Sequence, residues 1–159
     1  MRPTDLWTFA LACYARPDVE SLCLELQEEG VDICLLLCGS WLDVRTVECT
    51  AERLQQLQQL ADSWQGEVVK PLRTIRQDWR GAAQMDADLK HLREQLKALE
   101  LASEKILLDR LGRMTHDWQP TGSPATWLEA FTSGAKNGEA ARAFLRRIAT
   151  AVQQELIGS

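Results

Sequence analysis

Four cations recur at helical spacing in the middle of the chain: Lys70, Arg73, Arg76 and Arg80, at intervals of three, three and four residues. On a helix they form one stripe, beside the apolar row Val68, Leu72, Ile75 and Trp79. Guanidinium forks held side by side suit phosphate and carboxylate, so the stripe is a candidate site for an acidic protein, RNA or phosphate-bearing partner. The same pattern arises on any amphipathic helix that borders its buried face with long basic side chains, whose stems cover apolar surface while their heads stay in water. A second, weaker basic cluster follows at Arg142, Arg146 and Arg147.

The other reactive residue types form no catalytic set. Cys34 and Cys38 share a helix face, but no Cys-x-x-Cys knuckle occurs, and His91 and His116 lie in a distant, more polar segment. Buried packing is the expected role of these thiols, and no metal or cofactor is expected. Asp88-x-x-His91 is half of a di-iron pattern without its second half, and His116 beside Asp117 is adjacency alone. The acidic pairs Glu25 with Glu29 and Glu100 with Glu104 read as solvated, and phosphate-cradling glycine loops are absent. No catalytic residue is named, and a non-enzymatic interaction or adaptor protein is the leading expectation. The alternative is a small-molecule or lipid-binding helical protein, with or without enzymatic activity, whose pocket is lined by Trp7, Tyr14 and Trp41. Of the six tryptophans, Trp118 and Trp127 flank a loop and are the candidates for a partly exposed patch.

The elements that must position these residues are helices, since no stretch alternates at period two. The first runs from Thr4, a candidate N-cap, to the residues before Pro17, and the second opens with Pro17 in its first turn and closes at Gly30. Asp32 caps a third, in which Ile33 to Cys38, Trp41 and Leu42 are apolar around the full circumference, as in a helix buried on all sides. Thr50 starts a row from Leu54 to Ala82 whose phase survives Gly66 and Pro71, which favours one helix kinked at Pro71 over two in line. Leu89, Leu92, Leu96 and Leu99 form a heptad-like row on the next helix, expected to pair antiparallel with its predecessor. After a loop at Gln119 to Ser123, Ser123 and Pro124 restart a short helix through Trp127, Leu128 and Phe131, followed by a last one.

The expected fold is all-α: one domain over 1–159, a bundle of six to seven helices. It comprises buried N-terminal helices over 1–42, a long pair over 50–117 (helices about 51–82 and 86–117) and C-terminal helices over 124–157. A chain of 159 residues suits a single core, and its net charge of −5 weakens any reading as a DNA-binding domain. The longest unbroken apolar run, Ile33 to Cys38, is far too short to span a membrane. Ala10-Leu11-Ala12 before Cys13 resembles a lipoprotein signal, but Asp5 interrupts it and the segment is too short. Five cysteines, an odd number in apolar segments, fit a reducing compartment, and a cytoplasmic location is expected.

Over roughly residues 5 to 80 the pattern is specific: Leu6-Trp7, Phe9-Ala10, Tyr14, Pro17, Val19, Cys23-Leu24, Leu26-Gln27, Gly30, Asp32, Leu35 to Leu37, Trp41, Pro71-Leu72-Arg73 and Arg76. It resembles a family of small proteobacterial proteins of this length known only as a domain of unknown function. The family more often carries asparagine where this chain has Cys34, which argues against Cys34 as an essential ligand. The resemblance implies a bacterial, cytoplasmic protein and says nothing about activity.

Overall fold

The first free N–H groups of a helix need acceptors, and acidic or hydroxyl side chains supply them at most of the helix starts. The computed structural model describes residues 5–158, which form α1 (Leu6–Tyr14), α2 (Val19–Glu28), α3 (Ile33–Val44) and α4 (Ala51–Trp64). A π-helical turn (Gln65–Val69) leads into α5 (Lys70–Asp78), followed by α6 (Arg80–Ala83), α7 (Ala87–Thr115), α8 (Trp127–Phe131) and α9 (Gly138–Gly158). Asp32 accepts from the Leu35 amide at 3.1 Å, Thr50 from Arg53 at 3.2 Å and Asp86 from Leu89 at 3.1 Å. On α1 the cap is Asp5, accepting from the Thr8 amide at 2.8 Å, while the expected cap Thr4 lies outside the described residues. Pro17 precedes α2 rather than opening it, because Asp18 at φ 69° first turns the chain through left-handed backbone. Gly30, at φ 92°, closes the turn after α2, a conformation that glycine adopts without strain.

The full-circumference apolarity of α3 has the expected result: every residue from Cys34 to Leu42 is buried. Around it pack α1, α2, α4, α7, α8 and α9, so the core is built on one central helix. Gly39 allows a close approach: a Cβ there would lie 2.7 Å from Phe131 Cδ2 on α8. Asp43, one turn further along, fixes the start of α8: its carboxylate accepts from the amides of Trp127 at 2.9 Å and Leu128 at 3.1 Å. The short helix therefore begins at Trp127, and its cap comes from α3 rather than from Ser123 and Pro124 nearby in sequence. Trp127, expected at a partly exposed patch, is fully buried; its indole N–H donates to Val47 O at 2.8 Å and its ring stacks with Trp118 and Phe131. Trp118 is half-buried, with the Arg53 guanidinium 4.8 Å above its ring.

The helix carried through Pro71 is continuous, and the device that permits it is the π-helical turn just before the proline. Trp64, Gln65, Val69 and Lys70 all keep right-handed helical backbone, and Lys70 N–H reaches back to Gln65 O. A widened turn at that point relieves the crowding of a proline ring against the preceding carbonyls. A turn at Trp79 then separates α5 from the four-residue α6, so the expected helix over 51–82 ends in two steps before α7 runs back antiparallel. Among the described residues there is no strand, only an isolated bridge between Val47 and Pro120, and no helix is long and apolar enough to cross a membrane.

Candidate functional site

The helix hairpin formed by α5, α6 and α7 packs differently from its apolar pattern. No residue of α5 is buried, and on α7 the buried positions begin only at Glu100. The face of α7 that turns inward is Leu89, Arg93, Leu96, Glu100, Ser103 and Leu107, whose steps of three and four follow the 3.6-residue helical repeat. The heptad-like row therefore splits: Leu89 and Leu96 are half-buried, while Leu92 and Leu99 turn outward, 50% and 54% exposed.

Polar groups occupy the middle of this seam. Glu100, only 6% exposed, is held by two residues of the predicted basic stripe. Arg73 donates Nε to Glu100 Oε1 at 3.1 Å, and Arg76 donates Nε to Oε2 and Nη2 to Oε1, the latter at 3.2 Å. Arg93 reaches across to donate to Arg76 O at 2.9 Å, tying the two helix backbones together. Burial works against the charged form of Glu100, but the hydrogen bonds and charges of Arg76 and Arg73 outweigh it and hold the carboxyl below its usual range. The bond to Glu100 correspondingly holds the Arg76 guanidinium above its ordinary value.

The pair Glu100 and Glu104 is thus not a solvated face. Glu104 lies 4.0 Å from Arg73 Nη2, and burial, with the charges of Glu100 and Asp32 behind it, raises its carboxyl. With its amide oxygen turned to the guanidinium, Gln27 of α2 accepts from Arg73 Nη1 at 2.7 Å. Gln65, in the π-helical turn, donates Nε2 to Asp32 Oδ1 at 3.2 Å, linking this region to the start of α3. Two guanidinium groups against two carboxylates leave no net charge at the centre of the stripe. The arrangement works as a latch that holds α5 on α7.

Of the four predicted cations, Arg73 and Arg76 are brought together on Glu100, whereas Lys70 and Arg80 stay exposed without an ion-pair partner among the described residues. The second basic cluster is also engaged internally. Arg146 pairs with Glu129 and lies 3.6 Å from Asp43, Arg142 donates to Thr132 Oγ1 at 3.0 Å, and Arg147 lies over Phe144.

The three aromatic residues read as a pocket are separated by what each contacts. Trp7 is half-buried beneath the Lys105 ammonium, Tyr14 is exposed, and Trp41 is buried in the core with the Arg45 guanidinium 4.3 Å from its ring centroid. A cleft of about 190 Å³ does open between α3, α4 and α8, lined by Asp32, Gln58, Asp62, Phe131 and their neighbours, with none of the three aromatics in its wall. Burial pushes the Cys34 and Cys38 thiols well above their ordinary range, Cys13 up to about 12 and Cys23 up to about 11. Such thiols stay protonated and unreactive at neutral pH. Among the described residues no three His, Cys, Asp or Glu side chains gather where they could hold a metal ion.

What sequence reasoning missed is the flank of the hairpin. The row Trp64, Val68, Leu72, Ile75 and Trp79 runs along one side of the helix that contains the π-helical turn, with Ile75 39% exposed. On α7, Leu92, Leu99 and Ile106 recur every seven residues, and Ile106 is 41% exposed. Trp64 joins the two rows: its indole N–H donates to Ser103 O at 2.8 Å, and its ring is covered by Arg110, which follows Ile106 by one helical turn. Both rows therefore lie on one flank, an apolar strip on which Ile75, Leu92, Leu99 and Ile106 are left exposed by the described residues. The signal was present as a conflict: two apolar rows at helical spacing beside two arginines whose carboxylate partner lies on the returning helix.

The family model described as "Protein of unknown function (DUF2390)" matches residues 5–111, which takes in the ion cluster and most of α7 and extends past residue 80, where the sequence resemblance was read to end. No curated protein and no solved structure matches the chain.

Proposed function

We propose that this chain, which belongs to the DUF2390 family of proteins of unknown function, is a non-enzymatic interaction protein that docks its partner on the apolar flank of the α5–α7 hairpin. The observation that carries the reading is that flank itself: Leu92, Leu99 and Ile106 stand exposed in one row on α7, with Ile75 exposed on α5, on a helix pair latched by buried charge. Large apolar side chains gathered on one strip are what interaction sites expose, whereas isolated ones are ordinary surface. The basic row contributes less than its spacing suggests, because Arg73 and Arg76 are committed to Glu100, and only Lys70 and Arg80 of that row remain for an acidic partner. Five free cysteines, four of them buried, favour a reducing compartment such as the bacterial cytoplasm.

The test is site-specific photo-cross-linking in the cells that make the protein. A photoreactive residue in place of Gln95 or Ala102, beside the leucine row, should give a discrete adduct that disappears when Leu92 and Leu99 are both replaced by glutamate. The same residue in place of Glu94, on another face of α7, should give none. Equal yields from both faces, or no adduct from the flank, would refute the reading.

A further inference from the structure

We infer that the occupant of this flank is a second copy of the same chain, with the two α7 helices antiparallel across a twofold axis at Leu99; the inference rests on reading the flank as a docking surface. The strip is self-complementary about that residue. Leu92 and Ile106 stand seven residues before and after Leu99, so an antiparallel copy centred there sets Leu92 of one chain against Ile106 of the other. Leu99 meets its own counterpart on the axis, and Ala102 beside it leaves room for the helices to come close.

The charges at the ends of the strip repeat the same symmetry. Asp88 and Arg110 stand eleven residues before and after Leu99, both exposed, and among the described residues neither has an ion-pair partner. Asp109, the acidic neighbour of Arg110, is taken by Lys105 at 3.7 Å. Antiparallel pairing sets each Asp88 opposite the other copy's Arg110, twice per dimer, about 33 Å apart along the helix at its rise of 1.5 Å per residue. Parallel pairing would oppose aspartate to aspartate and arginine to arginine, so the charge pattern selects the antiparallel arrangement. Ile75 and Trp79 from the neighbouring helix widen the apolar contact on either side, giving a four-helix layer of two hairpins.

Sedimentation equilibrium over a range of concentrations tests this, with urea midpoints to show that each variant folds. The wild type should dimerise reversibly. Leu99→Glu, which places two carboxylates on the axis, should leave only monomer. Asp88→Arg and Arg110→Asp should each weaken association about tenfold, because the symmetry repeats every lost pair, and the two together should restore it. A wild type that stays monomeric throughout overturns the inference; flank cross-links to a different protein in cells would then leave the docking reading standing. A dimer indifferent to Leu99→Glu and to the charge exchange forms through another face, and that too overturns it.

Discussion

Helix α3 and the first half of α7 are both leucine-rich, yet they end in opposite environments. From Cys34 to Leu42 every residue of α3 is buried, whereas from Ala87 to Leu99 not one residue of α7 is. The difference lies in the neighbours. Six helices surround α3, and one of them, α8, is drawn against it by Gly39 and capped by Asp43. The first half of α7 runs back along α5 and α6, and the middle of the α5–α7 contact is an ion cluster. Apolar content sets how much burial a helix seeks; the number of partners sets how much it finds.

That contrast breaks or sharpens under substitution. The largest effect belongs to the core: Leu36→Ala, at a position with no exposed surface, should cost about 2–5 kcal/mol in urea unfolding. A much smaller loss would mean that α3 is not the central element. Next comes the latch. Glu100→Gln strands two partly buried guanidiniums, and the local opening free energy of α5 should fall by about 1–3 kcal/mol. Hydrogen exchange should show this on α5 while α3 amides keep their protection; a uniform loss over both helices would erase the distinction between them.

Acid should act on the latch in the same direction. The folded carboxyl of Glu100 lies below the unfolded value of 4.5, so its contribution is complete above that pH and is lost as pH falls through the folded value. Glu104, raised by burial, has the opposite sign: its contribution is present at low pH and fades as pH rises through its folded value. These two carboxylates face Arg73 and Arg76 of α5, with Asp32 of α3 nearby. The opening free energy of α5, from amide exchange relative to the unfolded chain's rate at each pH, should therefore fall below pH 4.5 in the wild type and lose that step in Glu100→Gln. An unchanged acid step in the variant would assign it to another group. The smallest effect closes the series: Leu99→Ala should change monomer stability by no more than about 0.5 kcal/mol, against the large cost of the same exchange at Leu36.

Much of the fold was legible in the sequence. Asp32 and Thr50 cap the helices they were expected to cap, Gly30 closes α2, and the chain stays helical through Pro71. Those features depend on residues a few positions apart. What escaped depends on partners far along the chain: Asp43 capping α8 across 84 residues, and Glu100 taking Arg73 across 27. Helical periodicity says which residues share a face, but not whether that face meets a core, a neighbouring helix or solvent. The same limit hid the apolar flank, because Leu92 and Leu89 look alike in a heptad row until the register of α5 on α7 assigns one inward and the other outward.

Methyl-resolved spectra of leucine- and isoleucine-labelled protein, followed from dilute to concentrated solution, report on the flank and the core in one experiment. The Ile75, Leu92, Leu99 and Ile106 methyls should shift together with concentration while those of Leu36 and Leu42 stay fixed. Flank methyls that do not move, or core methyls that move with them, would contradict it.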